Sequence, residues 1–333
     1  MMQWLESDQL LRKSAQVAAL LNRKVDRAHP SPRSLAYRAR ITMKVNTEGS
    51  LGYHQARSHT WVPIPACDIA RPEINEVLKR IPKLPSQLPG LELRSDGQRV
   101  VLAANSARPR GQRKSNSKTK KMLKKALASL DPDTLGVSGV SFDGQTLSGD
   151  STLHLAVCGI AHQISPSSFY QVNLEVNELL VQRVTDLVLA AAPTTVLDLY
   201  AGIGNMSLPL AAQGIKTVLM EQEGSSVADA EAAIARNRLN AKMIRGNAGR
   251  FQAGDVFFDV ALLDPPRGGA PRLMPQLLTT RPKMVVYVSC NPATLARDVQ
   301  PALQSGYEIE LLEVIDMFPQ TDHIETLCVL RRA

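Results

Sequence analysis

The sequence predicts an α/β protein whose second half is a doubly wound, mainly parallel sheet, preceded by an α+β domain with an antiparallel sheet. Three features carry this reading. After residue 165, short apolar runs alternate with amphipathic stretches, as buried parallel strands joined by helices do. Before it, apolar and polar residues alternate over short spans broken by polar, Gly-containing turns. The length, 333 residues with 44% hydrophobic side chains, suffices for two cores. The expected division is 1–164 and 165–333.

In the first half a helix is expected from about Asp8 to Leu21. Tyr37 to Val45 and Leu51 to His54 read as a hairpin closed by the Asn46–Gly49 turn. Pro72 to Ile81 reads as a second helix, with proline in the first turn where its missing N–H is not needed. Arg99 to Ala103, Val137 to Phe142 and Thr152 to Ile160 are strand candidates. The segment Arg108 to Lys125 carries nine Lys and Arg residues and no acid. Its Pro109, Gly111 and Ser115–Ser117 portion is expected to be a mobile loop. From Lys118 onward, Met122, Leu123, Ala126 and Leu127 give a helix its apolar face. Such a segment is either a solvated basic loop or an arm that contacts RNA phosphates. Lacking aromatics, it would position a nucleic acid without reading its bases. A net charge of +8 is compatible with a polyanionic partner.

In the second half, Val172 to Ala192 is expected to be a helix, with apolar spacing at Val176, Leu179, Leu180, Val184, Leu187 and Val188. Strands are expected at Thr195–Leu199, Lys216–Met220, Val256–Leu263, Met284–Ser289 and Ile309–Ile315. Helices are expected at Met206–Gln213, Ser226–Leu239 and Pro292–Gln304. There is no run of about 18 apolar residues and no basic-then-apolar leader, so a cytoplasmic protein without a membrane partner is expected. Cys67, Cys158, Cys290 and Cys328 are far apart and form no CxxC pair, which suggests neither a zinc site nor a disulfide framework.

The carboxyl ends of these strands carry the unusual residues. The first ends in Asp198-Leu199-Tyr200-Ala201-Gly202-Ile203-Gly204-Asn205, a tight turn into a helix. Ser207 stands where a dinucleotide-binding loop would need its third glycine. Glu221 follows the second strand, where a carboxylate can accept both ribose hydroxyls. The combination fits an adenosine that bears no pyrophosphate, such as S-adenosylmethionine. Asp264-Pro265-Pro266 makes a rigid platform that points an acid into the crevice. Cys290 puts a thiol on the same rim, at a helix start expected to favour the thiolate.

These motifs resemble those of the RNA uracil-5-methyltransferases, which modify tRNA or large-subunit rRNA. Ser165 to Asn173 looks like the family's Phe-x-Gln-x-Asn segment, and Asp198 to Asn205 is similar to its cofactor loop. Asp264 to Arg267 resembles its fourth motif and Ser289 to Asp298 its nucleophile motif. Asp316 to Glu325 resembles its base-bearing motif. The likeness covers about residues 165–331 and is thinner before that, around Tyr37-Arg38 and Trp61 to Cys67. It implies a class I, Rossmann-like methyltransferase domain with S-adenosylmethionine as cofactor, RNA as partner and a monomeric state. It implies that Cys290 is the nucleophile and Glu325 the base. Gln171, Tyr200, Asn205, Glu221, Asn247 and Asp264 would bind cofactor or target. The nucleophile and terminal motifs look closer to the rRNA members than to the tRNA members.

Two departures from the family pattern shape the expectation. Longer members begin with a small RNA-binding barrel and a cysteine cluster holding an iron–sulfur centre. Here Trp4 and Gln9-Leu10 resemble the residues just after that cluster, and Cys67 looks like its fourth ligand without partners. No iron–sulfur cluster is expected, and RNA binding would fall to the 1–164 domain and its basic segment. Cytosine-5 RNA methyltransferases also use a thiolate, but they carry Pro-Cys where this chain has Pro265-Pro266. A catalytically silent RNA-binding or rRNA assembly protein would not need both Cys290 and Glu325. A small-molecule methyltransferase would need neither the thiol nor the basic segment.

Overall fold

The computed structural model describes residues 5–55, 58, 60–106, 117–252 and 257–332. The chain runs α1 (Glu6–Leu21), β1 (Arg27–His29), β2 (Arg40–Val45), β3 (Leu51–His54), β4 (Trp61–Pro63), α2 (Pro72–Leu78), β5 (Gly90–Ser95) and β6 (Val100–Ala104). It continues through α3 (Ser117–Ala128), α4 (Pro132–Leu135), β7 (Gly139–Phe142), β8 (Gln145–Gly149), β9 (Leu153–Val157) and β10 (Ile160–Ile164). Then follow α5 (Leu174–Ala190), β11 (Thr195–Leu199), α6 (Leu208–Ala212), β12 (Lys216–Glu221), α7 (Gly224–Asn237), β13 (Ala241–Arg245) and β14 (Val260–Leu263). The last elements are α8 (Met274–Leu278), β15 (Met284–Ser289), α9 (Pro292–Asp298), α10 (Gln300–Gln304), β16 (Tyr307–Ile315) and β17 (Glu325–Arg332).

The larger compact unit takes the residues up to Ser34, Ala156–His162 and Ser168 onward. Its eight-stranded sheet has the order β1-β16-β17-β15-β14-β11-β12-β13. Strands β13, β12, β11, β14 and β15 are parallel, and β17 is inserted antiparallel between β15 and β16. Every residue of β15 is buried, and its side chains alternate between two apolar layers. Val285 and Tyr287 join Val17, Leu273, Leu277, Leu295 and Val299 on one face. Met284, Val286 and Val288 join Val176, Leu180, Val184 and Leu210 on the other. A strand covered on both faces can be apolar throughout, which is why the sequence shows runs here instead of alternation. Helix α5 starts at Asn173, whose side chain accepts from the Val176 amide at 3.3 Å.

The smaller unit comprises Leu35–Leu155 and Gln163–Ser167. Its seven-stranded sheet has the order β4-β3-β2-β5-β6-β7-β8 and is antiparallel except between β6 and β7. Helices α2 and α3 supply Ile74, Val77, Leu123 and Leu127 to its core. The five lysines of α3 are exposed. The loop portion of the basic segment, 107–116, lies outside the described residues.

Three expectations are corrected. The boundary near residue 165 does not describe the packing, because α1 and β1 belong to the larger unit. Strand β1 pairs in parallel with β16, as Arg27↔Glu313 and His29↔Ile315. The helix expected over 292–304 is two helices, because Pro301 cannot donate to the preceding turn. The strand expected over 152–160 ends at Val157, and Cys158 (φ 44°) and Gly159 (φ 81°) turn it into β10.

Candidate active site

Strands β11, β12, β14 and β15 run in parallel, so their carboxyl ends deliver four loops to one rim. The loop after β11 opens with Tyr200 in the left-handed region (φ 63°), a strained conformation for an aromatic residue. Gly202 and Gly204 follow, also with positive φ. A Cβ on Gly204 would strike Leu208, so that glycine lets the loop close on α6. A Cβ on Gly202 would meet nothing within 4 Å, leaving open space beside a backbone amide that donates to Glu221 Oε2 at 3.0 Å. The other Glu221 oxygen accepts from the Gln222 and Glu223 amides at 2.7 and 2.8 Å. Asn247 lies on the loop beyond β13 and accepts from the Gly249 amide. A Cβ on Gly249 would sit 3.2 Å from Asn247 Oδ1 and 3.4 Å from the Tyr200 hydroxyl. Tyr200, Glu221 and Asn247 therefore gather at one end of the rim.

Beneath this loop Asp198 is fully buried and accepts from Ser207 Oγ at 2.5 Å. Its second oxygen has no partner among the described residues. Burial raises its carboxyl to about 7.

At the other end of the rim, β17 returns antiparallel to β15, with Ser289↔Thr326 in register. The next positions outward are Cys290 and Glu325. Two residues 35 positions apart in sequence are thus adjacent at one strand end. Glu325 is 3% exposed. Burial raises its carboxyl well above the ordinary value, and nearby Asp264 raises it further. Asp264, beyond β14, is raised to about 7 by burial. The half-buried Cys290 thiol is pushed up to about 11 by burial, by Glu325 and by Asp264, against the opposing pull of Arg267. This overturns the expectation that the helix start favours the thiolate. Helix α9 is only seven residues long, and a buried carboxyl, Glu325, and a half-buried one, Asp264, act on the sulfur.

The carriers of these groups are clasped together. Asn291 Nδ2 donates to the Arg267 carbonyl at 3.1 Å and Arg297 to the Gly268 carbonyl at 2.9 Å. Asp298, buried, accepts from the Ala270 amide at 2.5 Å and the Tyr287 hydroxyl at 2.7 Å.

The two remaining expected residues, Asn205 and Gln171, lie against or just before α5. The Asn205 side chain is engaged in a reciprocal pair with Asn177 of α5, at 2.8 and 3.0 Å. Gln171 is half-buried just before α5, and the neighbouring Asn173 donates to the Met317 carbonyl on the segment that leads to Glu325. Sequence reading missed Asn177, whose signal is its spacing of four from Asn173 on one helix face. It placed Ser207 and Asp298 within motifs but not the hydrogen bonds they share with Asp198 and Tyr287.

The model of the tRNA (uracil-5-)-methyltransferase family matches residues 145–254 and 250–333. A 23S rRNA (uracil(1939)-C(5))-methyltransferase RlmD of Klebsiella pneumoniae is 31% identical over 337 residues, which is 96% of this chain and 76% of that protein. The chain belongs to the RNA uracil-5-methyltransferase family. The enzyme of the same name from Aeromonas hydrophila is 41% identical over 179 residues, or 52% of this chain and 41% of that one. Among solved structures, the tRNA (uracil-54, C5)-methyltransferase of Pyrococcus abyssi, in complex with S-adenosyl-L-homocysteine, superposes with a TM-score of 0.78. At 22% identity it covers 98% of this chain and 83% of its own, and it shares the family fold. Among the described residues, no helix is long and apolar enough to cross a membrane, and no three His, Cys, Asp or Glu side chains converge as metal ligands.

Proposed function

We propose that this protein methylates carbon 5 of a uridine in large-subunit rRNA, with Cys290 as covalent nucleophile and Glu325 as base. The observation that carries the reading is the β15–β17 register, which brings a thiol and a buried carboxyl to one strand end beside Asp264. Carbon 5 of uracil is a weak nucleophile. Addition of the Cys290 sulfur to carbon 6 places electron density on carbon 5 as an enolate. After carbon 5 is methylated, Glu325 takes its proton, the carbon 5–carbon 6 double bond re-forms and the sulfur leaves. A carboxyl of raised pKa is the stronger base for that step. Arg267 opposes the carboxyls at the sulfur and favours the thiolate. Asp264 would meet the uracil edge.

S-adenosylmethionine would supply the electrophilic methyl group. The open space above Gly202, flanked by the Glu221 carboxylate, suits a ribose, and Tyr200 and Asn247 suit an adenine beside it. Gln171 would line the same crevice, and Asn205 would act by fixing the loop to α5. The exposed lysines Lys118, Lys121, Lys124 and Lys125 of α3 would contact RNA phosphates. Ribosomal RNA is favoured over tRNA because a relative 31% identical over 96% of the chain is an rRNA enzyme, whereas the tRNA enzyme of similar coverage is only 22% identical. Mapping 5-methyluridine in a strain lacking the gene tests this. Loss of one 5-methyluridine from 23S rRNA is expected; loss from tRNA alone would reassign the substrate.

A further inference from the structure

We propose that the amino-terminal helix α1 is a positioning element, holding the connection that leads into Glu325 in place relative to the helix that follows Cys290. The inference rests on the roles proposed above for those two residues. The nine-residue connection Asp316–Ile324 joins β16 to β17 without regular structure. Three of its residues are held by two side chains on one face of α1. Lys13, 2% exposed, donates to Asp316 Oδ1 at 2.7 Å and to the Phe318 carbonyl at 3.0 Å. Gln9, 1% exposed, donates to Gln320 Oε1 at 2.9 Å and accepts from the Gln320 amide at 3.0 Å. Gln320 is itself left-handed (φ 64°), a backbone state that persists only where the surroundings fix it.

A desolvated lysine is costly unless paired, so this ion pair admits one arrangement of helix and connection. Val17, one turn further along the same face, is buried in the apolar layer that also holds Leu295 of α9, and α1 packs directly on α9. One rigid helix therefore touches both carriers. Beyond Gln320, the Phe318 ring meets His323 edge-on, and His323 lies 3.1 Å from an Arg267 nitrogen. Displacement of the connection would move Glu325, at the strand start it leads into, whereas Arg267 stays held through its carbonyl by Asn291 next to Cys290. Proton removal demands hydrogen-bond reach, and a misplacement of about 1 Å costs on the order of 10²-fold in rate.

The test compares the step assigned to Cys290 with the step assigned to Glu325. The paired variant Lys13→Met with Asp316→Leu removes both charges and leaves neither buried alone. Gln9→Leu loosens the connection with the ion pair intact and serves if the paired variant fails to fold. Adduct formation is followed on 5-fluorouridine RNA, product release on ordinary RNA, and backbone amide exchange over 317–324 by mass spectrometry. Adduct formation within about twofold of the parent, release slower by about 10-fold or more, and faster exchange over 317–324 are expected. Lys13→Arg, which keeps the charge pair, is expected to restore release. Equal slowing of both steps, or parental release despite faster exchange, overturns the positioning role. A parent protein that forms no adduct would contradict the proposed function instead, and the exchange measurement would still decide whether α1 fixes the connection.

Discussion

Two aspartates at opposite ends of β14 are pushed in opposite directions. Asp259 precedes the strand. The Thr194 hydroxyl donates to it at 2.7 Å, the Thr194 and Thr195 amides at 2.8 and 3.2 Å, and Lys283 pairs with it at 3.0 Å. These partners hold its carboxyl well below the ordinary range. Asp264, five residues later at the other end, is raised to about 7 by burial. One end of the sheet satisfies its acid and gains stability. The other end buries Glu325 and Asp198 and half-buries Asp264 short of countercharge, which costs stability and leaves reactive groups. The same polarity explains why the motifs legible in sequence lie at the carboxyl ends.

The comparison can be broken at several points, beginning with the largest effect. Glu325→Gln is expected to slow release of methylated RNA by about 10²- to 10⁴-fold and to leave a trapped adduct on unmodified uridine. Ordinary turnover would assign the proton to another base. The same variant should lower the pH midpoint of Cys290 alkylation from about 11, because one of the two acids raising the thiol is gone. Iodoacetamide rates measured against pH check this, and an unchanged midpoint would separate the two groups. Asp259→Ala should lose about 1–3 kcal/mol of stability at neutral pH. A depressed carboxyl stabilises above its unfolded pKa of about 4, so the gap from the parent should shrink as pH falls below that value. Denaturant midpoints at pH 7 and pH 3 check it. Glu325→Gln should do the opposite and raise the melting temperature by roughly 2–4 °C for each kcal/mol recovered. A raised carboxyl costs stability as pH rises above its unfolded value, so this gain should be larger at pH 8 than at pH 5. A gain that did not grow with pH would mean that Glu325 is not the strained group.

Much of the catalytic sheet was legible because buried parallel strands write themselves as apolar runs ended by Gly, Pro and acidic motifs. Cys290 and Asp264 stood out at those strand ends, whereas Glu325 came only from the resemblance of the terminal motif; the register of β15 and β17 brings Cys290 and Glu325 together. What was not legible depends on long-range pairing. Lys13 meets Asp316 across 303 positions, and β1 joins β16, so no local pattern could have moved α1 out of the amino-terminal domain. The direction of the Cys290 shift was misread for the same reason. Sequence displays the helix start next to the sulfur, whereas the burial that dominates, and the two acids that add to it, come from the tertiary packing of β14 and β17. Asn205 illustrates a subtler case. Its place in the cofactor loop is plain, but its partner Asn177 lies on a helix 28 residues earlier.

The most direct test of the central claim is the identity of the residue bound to RNA. The protein is incubated with 5-fluorouridine-substituted 23S rRNA fragments and S-adenosylmethionine, digested, and the cross-linked peptide sequenced. The account predicts one modified residue, Cys290, and a loss of more than about 10³-fold in adduct yield for Cys290→Ala. An adduct of equal yield in Cys290→Ala, or one mapped to Cys67, Cys158 or Cys328, would contradict it.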